Sequence, residues 1–127
     1  MTEIEFIIYV KDQQKSRLFY ENVLQISPSL NVPGMTEFQL ASNVKLGIMP
    51  ENGIAKIISK DLPHPKTGNG IPRCELYLKV ENPIAYMERG IESGGKEISK
   101  LQERDWGDKV GYICDLDGHI LAFAEKK

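Results

Sequence analysis

The order of patterns in this chain occurs twice, and that repetition limits its possible folds more than any other feature. Residues 4–10 alternate, with Ile4, Phe6, Ile8 and Val10 on one side and Glu5, Ile7 and Tyr9 on the other. Alternation of this kind specifies a strand with one apolar face. Asp12 then stands where a helix N-cap belongs, and Gln13–Leu24 carries Leu18, Phe19 and Val23 at helical spacing, with Ser27-Pro28 expected to end the helix. The second copy starts at Cys74–Val80, where Leu76, Leu78 and Val80 alternate with Glu75, Tyr77 and Lys79. Asn82 is the matching N-cap, Pro83 fits the first helical position, and Gly94-Gly95 is the stop. Sliding one copy onto the other sets Glu75 on Glu5, Val80 on Val10 and Asn82 on Asp12. A unit repeated in this way buries its apolar surface by pairing.

Short strands complete each copy. Met35–Leu40 and Val44–Met49 follow the first helix, separated by the turn residues Ala41-Ser42-Asn43. Glu97–Leu101, Lys109–Cys114 and His119–Ala124 follow the second, with Asp115–Gly118 as a turn. Between the copies, residues 50–72 are rich in proline and glycine and read as a linker with one short helical turn at Ile54–Ile58. The expectation is a single α+β domain, residues 1–127, of two βαβββ modules. Module one covers 1–49, the linker 50–72 and module two 73–127.

Charge narrows the function classes. The net charge is −2, which offers no basic footprint for nucleic acid or for an anionic membrane surface. The longest apolar run, Phe6–Val10, falls far short of the roughly 20 residues that span a bilayer. Met1-Thr2-Glu3-Ile4-Glu5 carries no basic leader region. The two cysteines, Cys74 and Cys114, sit in strand-like runs and form no CxxC site. They are expected to be buried free thiols, and the protein to be cytoplasmic.

Two stretches carry a resemblance. Tyr9-Val10-Lys11-Asp12, leading into a helix with Ser16-Arg17-Leu18-Phe19-Tyr20 and then Val23-Leu24, resembles the opening of glyoxalase/bleomycin-resistance proteins. Trp106-Gly107 followed by Asp115-Leu116-Asp117-Gly118-His119 resembles that family's Trp-Gly and Asp-Pro-Asp-Gly-Asn. The resemblance is to the vicinal oxygen chelate superfamily, which also includes extradiol dioxygenases, and it covers nearly the whole chain. It implies paired βαβββ modules around a concave cleft, often completed in a homodimer. Metal-dependent members hold an ion with His or Glu on the first and last strand of each module. Those positions fall here on Glu5, Gly47, Glu75 and Ala122. Gly47 and Ala122 offer no donor, and a catalytic ion usually takes about three protein ligands.

The expected cofactor is therefore none. A divalent ion held weakly by Glu5 and Glu75 is the alternative. No catalytic residue is assigned: His64 reads as an exposed linker residue, His119 as a turn residue, and neither has a visible Ser or Cys partner. Glu5, Tyr9, Met49, Glu75, Tyr77 and Trp106 are the candidate ligand-binding residues, carboxylates and soft or aromatic surfaces suited to a flat, apolar or cationic small molecule. Lys45 and Lys79 share the parity of these residues. Three readings remain open: a small-molecule-binding protein without a metal, a glyoxalase-like lyase or isomerase with a nonstandard site, and a protein-binding module.

Overall fold

A computed structural model describes residues 1–126. It falls into two compact units, residues 1–21 with 25–69, and residues 22–24 with those from Gly70 onward.

The first unit is built on a four-stranded sheet. Strands β1 (Ile4–Val10), β2 (Leu30–Val32), β3 (Met35–Ala41) and β4 (Val44–Pro50) lie in the order β1-β4-β3-β2. β1 and β4 run parallel; the other neighbours are antiparallel. On one face Ile8, Val10, Phe38, Leu46 and Ile48 are buried. Helix α1 (Gln13–Leu24) begins where Asp12 Oδ1 accepts from the Lys15 amide at 3.0 Å. The Gln13 side chain then pins the β2–β3 turn: its amide donates to Val32 O and Thr36 Oγ1, and its oxygen accepts from Gly34 N.

The second unit repeats this plan. β5 (Glu75–Val80), β6 (Lys96–Glu103), β7 (Lys109–Cys114) and β8 (Ile120–Glu125) lie in the order β5-β8-β7-β6, again with only the outer pair β5/β8 parallel. Helix α3 (Pro83–Glu92) is capped by Asn82, which accepts from the Ala85 amide. It packs on β7, β6 and β8. Gly90 and Gly111 permit that approach: a Cβ at Gly90 would strike Ile113 Cδ1, and one at Gly111 would strike Met87 Sδ. The last turn of α1 belongs to this unit, where Val23 O accepts from the Arg89 guanidinium at 3.0 and 3.1 Å.

Several local expectations change. α1 covers Gln13–Leu24 as read from the sequence, but its stop is Gln25, which enters the left-handed region at φ 57° and returns its N–H to Glu21 O, and not Ser27-Pro28. The stretch expected to be a linker with one turn contains a full helix, α2 (Glu51–Ile58), with Ile54 and Ala55 buried against the first unit's sheet, and a short 3-10 helix at Pro65–Gly68. Leu30–Val32 forms a strand that its short, exposed sequence did not announce. Neither cysteine is buried: Cys74 is exposed just before β5, and Cys114 is half-exposed at the end of β7. Among the described residues no helix is long and apolar enough to cross a membrane.

Candidate functional site

Each sheet has two faces, and the candidate residues of each unit share one of them. In the first unit the register places Glu5 beside Lys45, Ile7 beside Gly47 and Tyr9 beside Met49. Across β4, Glu37 pairs with Gly47 and Gln39 with Lys45. Alternation puts Glu5, Tyr9, Glu37, Lys45, Gly47 and Met49 on this one face. Tyr9 and Met49 are half-exposed neighbours on it.

The Glu5 carboxyl lies over Gly47. A Cβ there would collide with Glu5 Oε2 and stand 2.9 Å from Ile7 Cγ1, so glycine is what makes room for the acid. Glu5 Oε2 is buried with no donor to satisfy it. The Glu37 carboxyl is its hydrogen-bonding and like-charged neighbour, which favours the protonated acid. Burial first, then the bond and charge of Glu37, raise the Glu5 pKa from 4.5 to about 7, against the opposing pull of Lys45. Lys45 Nζ lies 3.4 Å from Glu3 and 3.8 Å from Glu37. Its bond to Glu3, and then the surrounding carboxylates, raise its pKa and keep it charged.

In the second unit the corresponding face carries Glu75, Tyr77 and Lys79 on β5, Ala122 and Ala124 on β8, and Val110 and Tyr112 on β7. Val110, Ala122 and Ala124 are fully buried, with Tyr77 and Tyr112 packed against them. The Tyr77 hydroxyl donates to Asp108 Oδ2 at 2.5 Å and accepts from Trp106 Nε1 at 3.0 Å. Burial and the bond to Asp108 raise the Tyr77 pKa, so its proton is retained. Glu75 is exposed at the start of β5.

The structure thus joins Tyr77 to Trp106, seats Tyr9 beside Met49, and surrounds Glu5 with charged neighbours. Glu5 belongs to the first unit and Glu75 to the second. Sequence reasoning missed Glu37 and Asp108. Glu37 becomes legible only once the turn at residues 41–43 fixes the β3–β4 register and sets it opposite Gly47. Asp108 follows Trp106 by two residues in a turn whose closure the sequence does not announce.

The four positions that the superfamily uses for metal do not fit an ion here. Position 47 has no donor, and its space holds the Glu5 carboxyl. Ala122 is fully buried between Tyr77 and Tyr112 of the neighbouring strands. Lys45 already supplies a cation to the carboxylates of the first unit. A different group, Asp115, Asp117 and His119, places potential ligand atoms within 4.8 Å of one another. Asp115 is committed there to the turn, accepting from the amides of Asp117 and His119 and pairing with His119 Nδ1 at 2.8 Å. His119 is a turn residue, as expected from the sequence.

Residues 4–126 match the family model described as a glyoxalase-like domain. The chain belongs to that family, and through it to the vicinal oxygen chelate superfamily. Its sheets and helices form the glyoxalase/bleomycin-resistance fold. A glyoxalase-related enzyme from Fulvimarina pelagi superposes with a TM-score of 0.80 at 20% identity, covering 97% of this chain and 86% of that one. A glyoxalase/bleomycin resistance protein/dioxygenase family enzyme from Burkholderia phytofirmans gives 0.78 at 12% identity, with 95% of each chain covered. At such identities the likeness is one of fold. An uncharacterized protein of Mycobacterium bovis is 26% identical over 76 residues, 54% of this chain and 49% of its own length. The chain spans about half the length of the curated relatives it matches.

Proposed function

We propose that this glyoxalase-like domain binds a small molecule without the help of a catalytic metal. The observation that carries the reading is the Glu5 carboxyl seated over Gly47, its Oε2 buried, in the space where a metal-dependent relative would present a ligand. One scaffold of this kind can serve different functions, and binding alone does not require an ion. Within the first unit the proposed contact residues are Glu5, Tyr9 and Met49; within the second, taken by itself, they are Glu75, Tyr77 and Trp106. Carboxylates and exposed aromatic surface favour a planar, positively charged aromatic compound. The protein is proposed to act in the cytoplasm as a homodimer.

Calorimetric titration in metal-free buffer against planar aromatic cations, 10-methylacridinium among them, tests this reading. Saturable binding in the micromolar range is expected, weakened about tenfold in Glu5→Gln if the first unit holds the ligand, or in Trp106→Ala if the second does. Absence of binding to every compound at millimolar concentration would overturn it.

A second reading is favoured by one observation: a carboxyl with a pKa of about 7 suits a general acid or base. The protein would then be a glyoxalase-like lyase or isomerase in which Glu5 moves a proton. Turnover of a hemithioacetal that is abolished in Glu5→Gln would select this reading over pure binding.

A further inference from the structure

Trp106 is the one tryptophan of the chain, and it is 58% exposed. A ring so exposed is ordinarily free to turn, yet this one is tied at its edge. The indole N–H can only donate and a carboxylate can only accept, so the polarity of the chain through Tyr77 is fixed. Trp106 Nε1 donates to the Tyr77 oxygen, and the Tyr77 hydroxyl gives its single proton to Asp108 Oδ2. The bond to Asp108 therefore leaves the Tyr77 oxygen turned toward the indole as an acceptor. Bonds polarised in series strengthen one another. Lys79 Nζ lies 3.8 Å from Asp108 Oδ2, on the accepting end of the chain.

The mount is closed on its other side as well. Gly107, at φ 97°, donates its amide to Arg104 O, and Arg104 N donates to Asp108 O, so the turn that carries Trp106 is hydrogen-bonded across its neck. The Arg104 guanidinium reaches Val110 O at 2.9 and 3.1 Å and lies over the Tyr112 ring at 5.1 Å. Turn and ring are both held, while Trp106 stays largely exposed. Ordering a mobile side chain during binding costs affinity, and a ring set in advance avoids that cost.

We propose that Asp108, acting through Tyr77, is a positioning residue that sets the Trp106 ring as a stacking platform for a planar aromatic ligand. This inference rests on the small-molecule reading above and adds a residue and a mechanism to it. Asp108 touches no ligand; its effect passes through the hydroxyl of Tyr77.

Since Trp106 is the sole tryptophan, its fluorescence anisotropy decay reports ring motion in the ligand-free protein. In Tyr77→Phe and in Asp108→Ala, each verified as folded by circular dichroism, the fast component of the decay is expected to at least double. The dissociation constant for 10-methylacridinium is expected to rise about tenfold. Asp108→Asn keeps an accepting oxygen and is expected to restore both values, which a general loss of stability would not do. Unchanged ring motion in both disruptive variants overturns the inference. Freed motion with unchanged affinity overturns the claim that the setting serves binding. If the variants free the ring but the wild-type protein takes up neither 10-methylacridinium nor neutral acridine, the small-molecule reading falls and the relay stands as a lock of the turn.

Discussion

Glu5 stands over Gly47 and against Glu37, and burial first, then that neighbour, lift its pKa from 4.5 to about 7. Below pH 4.5 the folded and unfolded chains both hold this proton, and its stabilising contribution is fully present. As pH rises toward 7 the unfolded chain releases the proton first, so stability falls and the contribution is lost above the folded value. His119 works in the same direction. Burial pulls its pKa down, but the bond and charge of Asp115 outweigh this and raise it, so its contribution is lost as the imidazole deprotonates. The wild-type chain should therefore lose stability between pH 5 and pH 8. Glu5→Gln should lose less, by about 1 kcal/mol, because solvent around the half-exposed carboxyl screens much of the effect. Urea midpoints at the two pH values isolate the difference, and parallel changes in both proteins would refute it. Glu5 was legible in the sequence because it shares parity with Tyr9 and matches Glu75 in the repeat. Its raised pKa was not, because that depends on Glu37, placed by a register that only folding sets.

The helices show what the sequence does and does not disclose about an element. Their starts are chemical: Asp12 accepts from the amide of Lys15 and Asn82 from that of Ala85, three residues on in each case. Each bond satisfies an N–H that the first helical turn leaves without a partner. Asp12→Ala and Asn82→Ala should each cost about 1 kcal/mol of unfolding free energy. The two caps lie in separate units and share no partner, so the double variant should lose the sum to within about 0.5 kcal/mol. Chemical denaturation of the three variants measures this, and a double variant no weaker than either single one would contradict it. The ends were harder to foresee. α1 stops at Gln25 in a left-handed conformation that ordinary side chains seldom adopt, with no glycine to mark it. α2 lies in a stretch whose prolines and glycines suggest a loop, yet Ile54 and Ala55 supply a buried side that outweighs the composition.

Across the molecule, duplication was the most legible feature, and the strand orders β1-β4-β3-β2 and β5-β8-β7-β6 reproduce it sheet for sheet. Repetition also duplicates the positions from which metal-dependent members of the superfamily present ligands, and there the two copies match. Each has a carboxylate on its first strand, Glu5 or Glu75, and each has no side-chain donor on its last, at Gly47 and Ala122. Two carboxylates fall short of the roughly three protein ligands of a catalytic ion. In the first unit Lys45 further competes for the acidic groups. The Asp115–His119 turn does not make up the deficit, since both Asp115 oxygens already accept hydrogen bonds. Protein stripped with chelator, exposed to Zn²⁺, Ni²⁺ or Mn²⁺ and dialysed should retain well under one ion per chain by elemental analysis. Retention of a stoichiometric ion, lost in Glu5→Gln, would instead mean that the Glu5 carboxyl leaves Glu37 and Gly47 to serve as a ligand, and the metal-free reading of this fold would have to be abandoned.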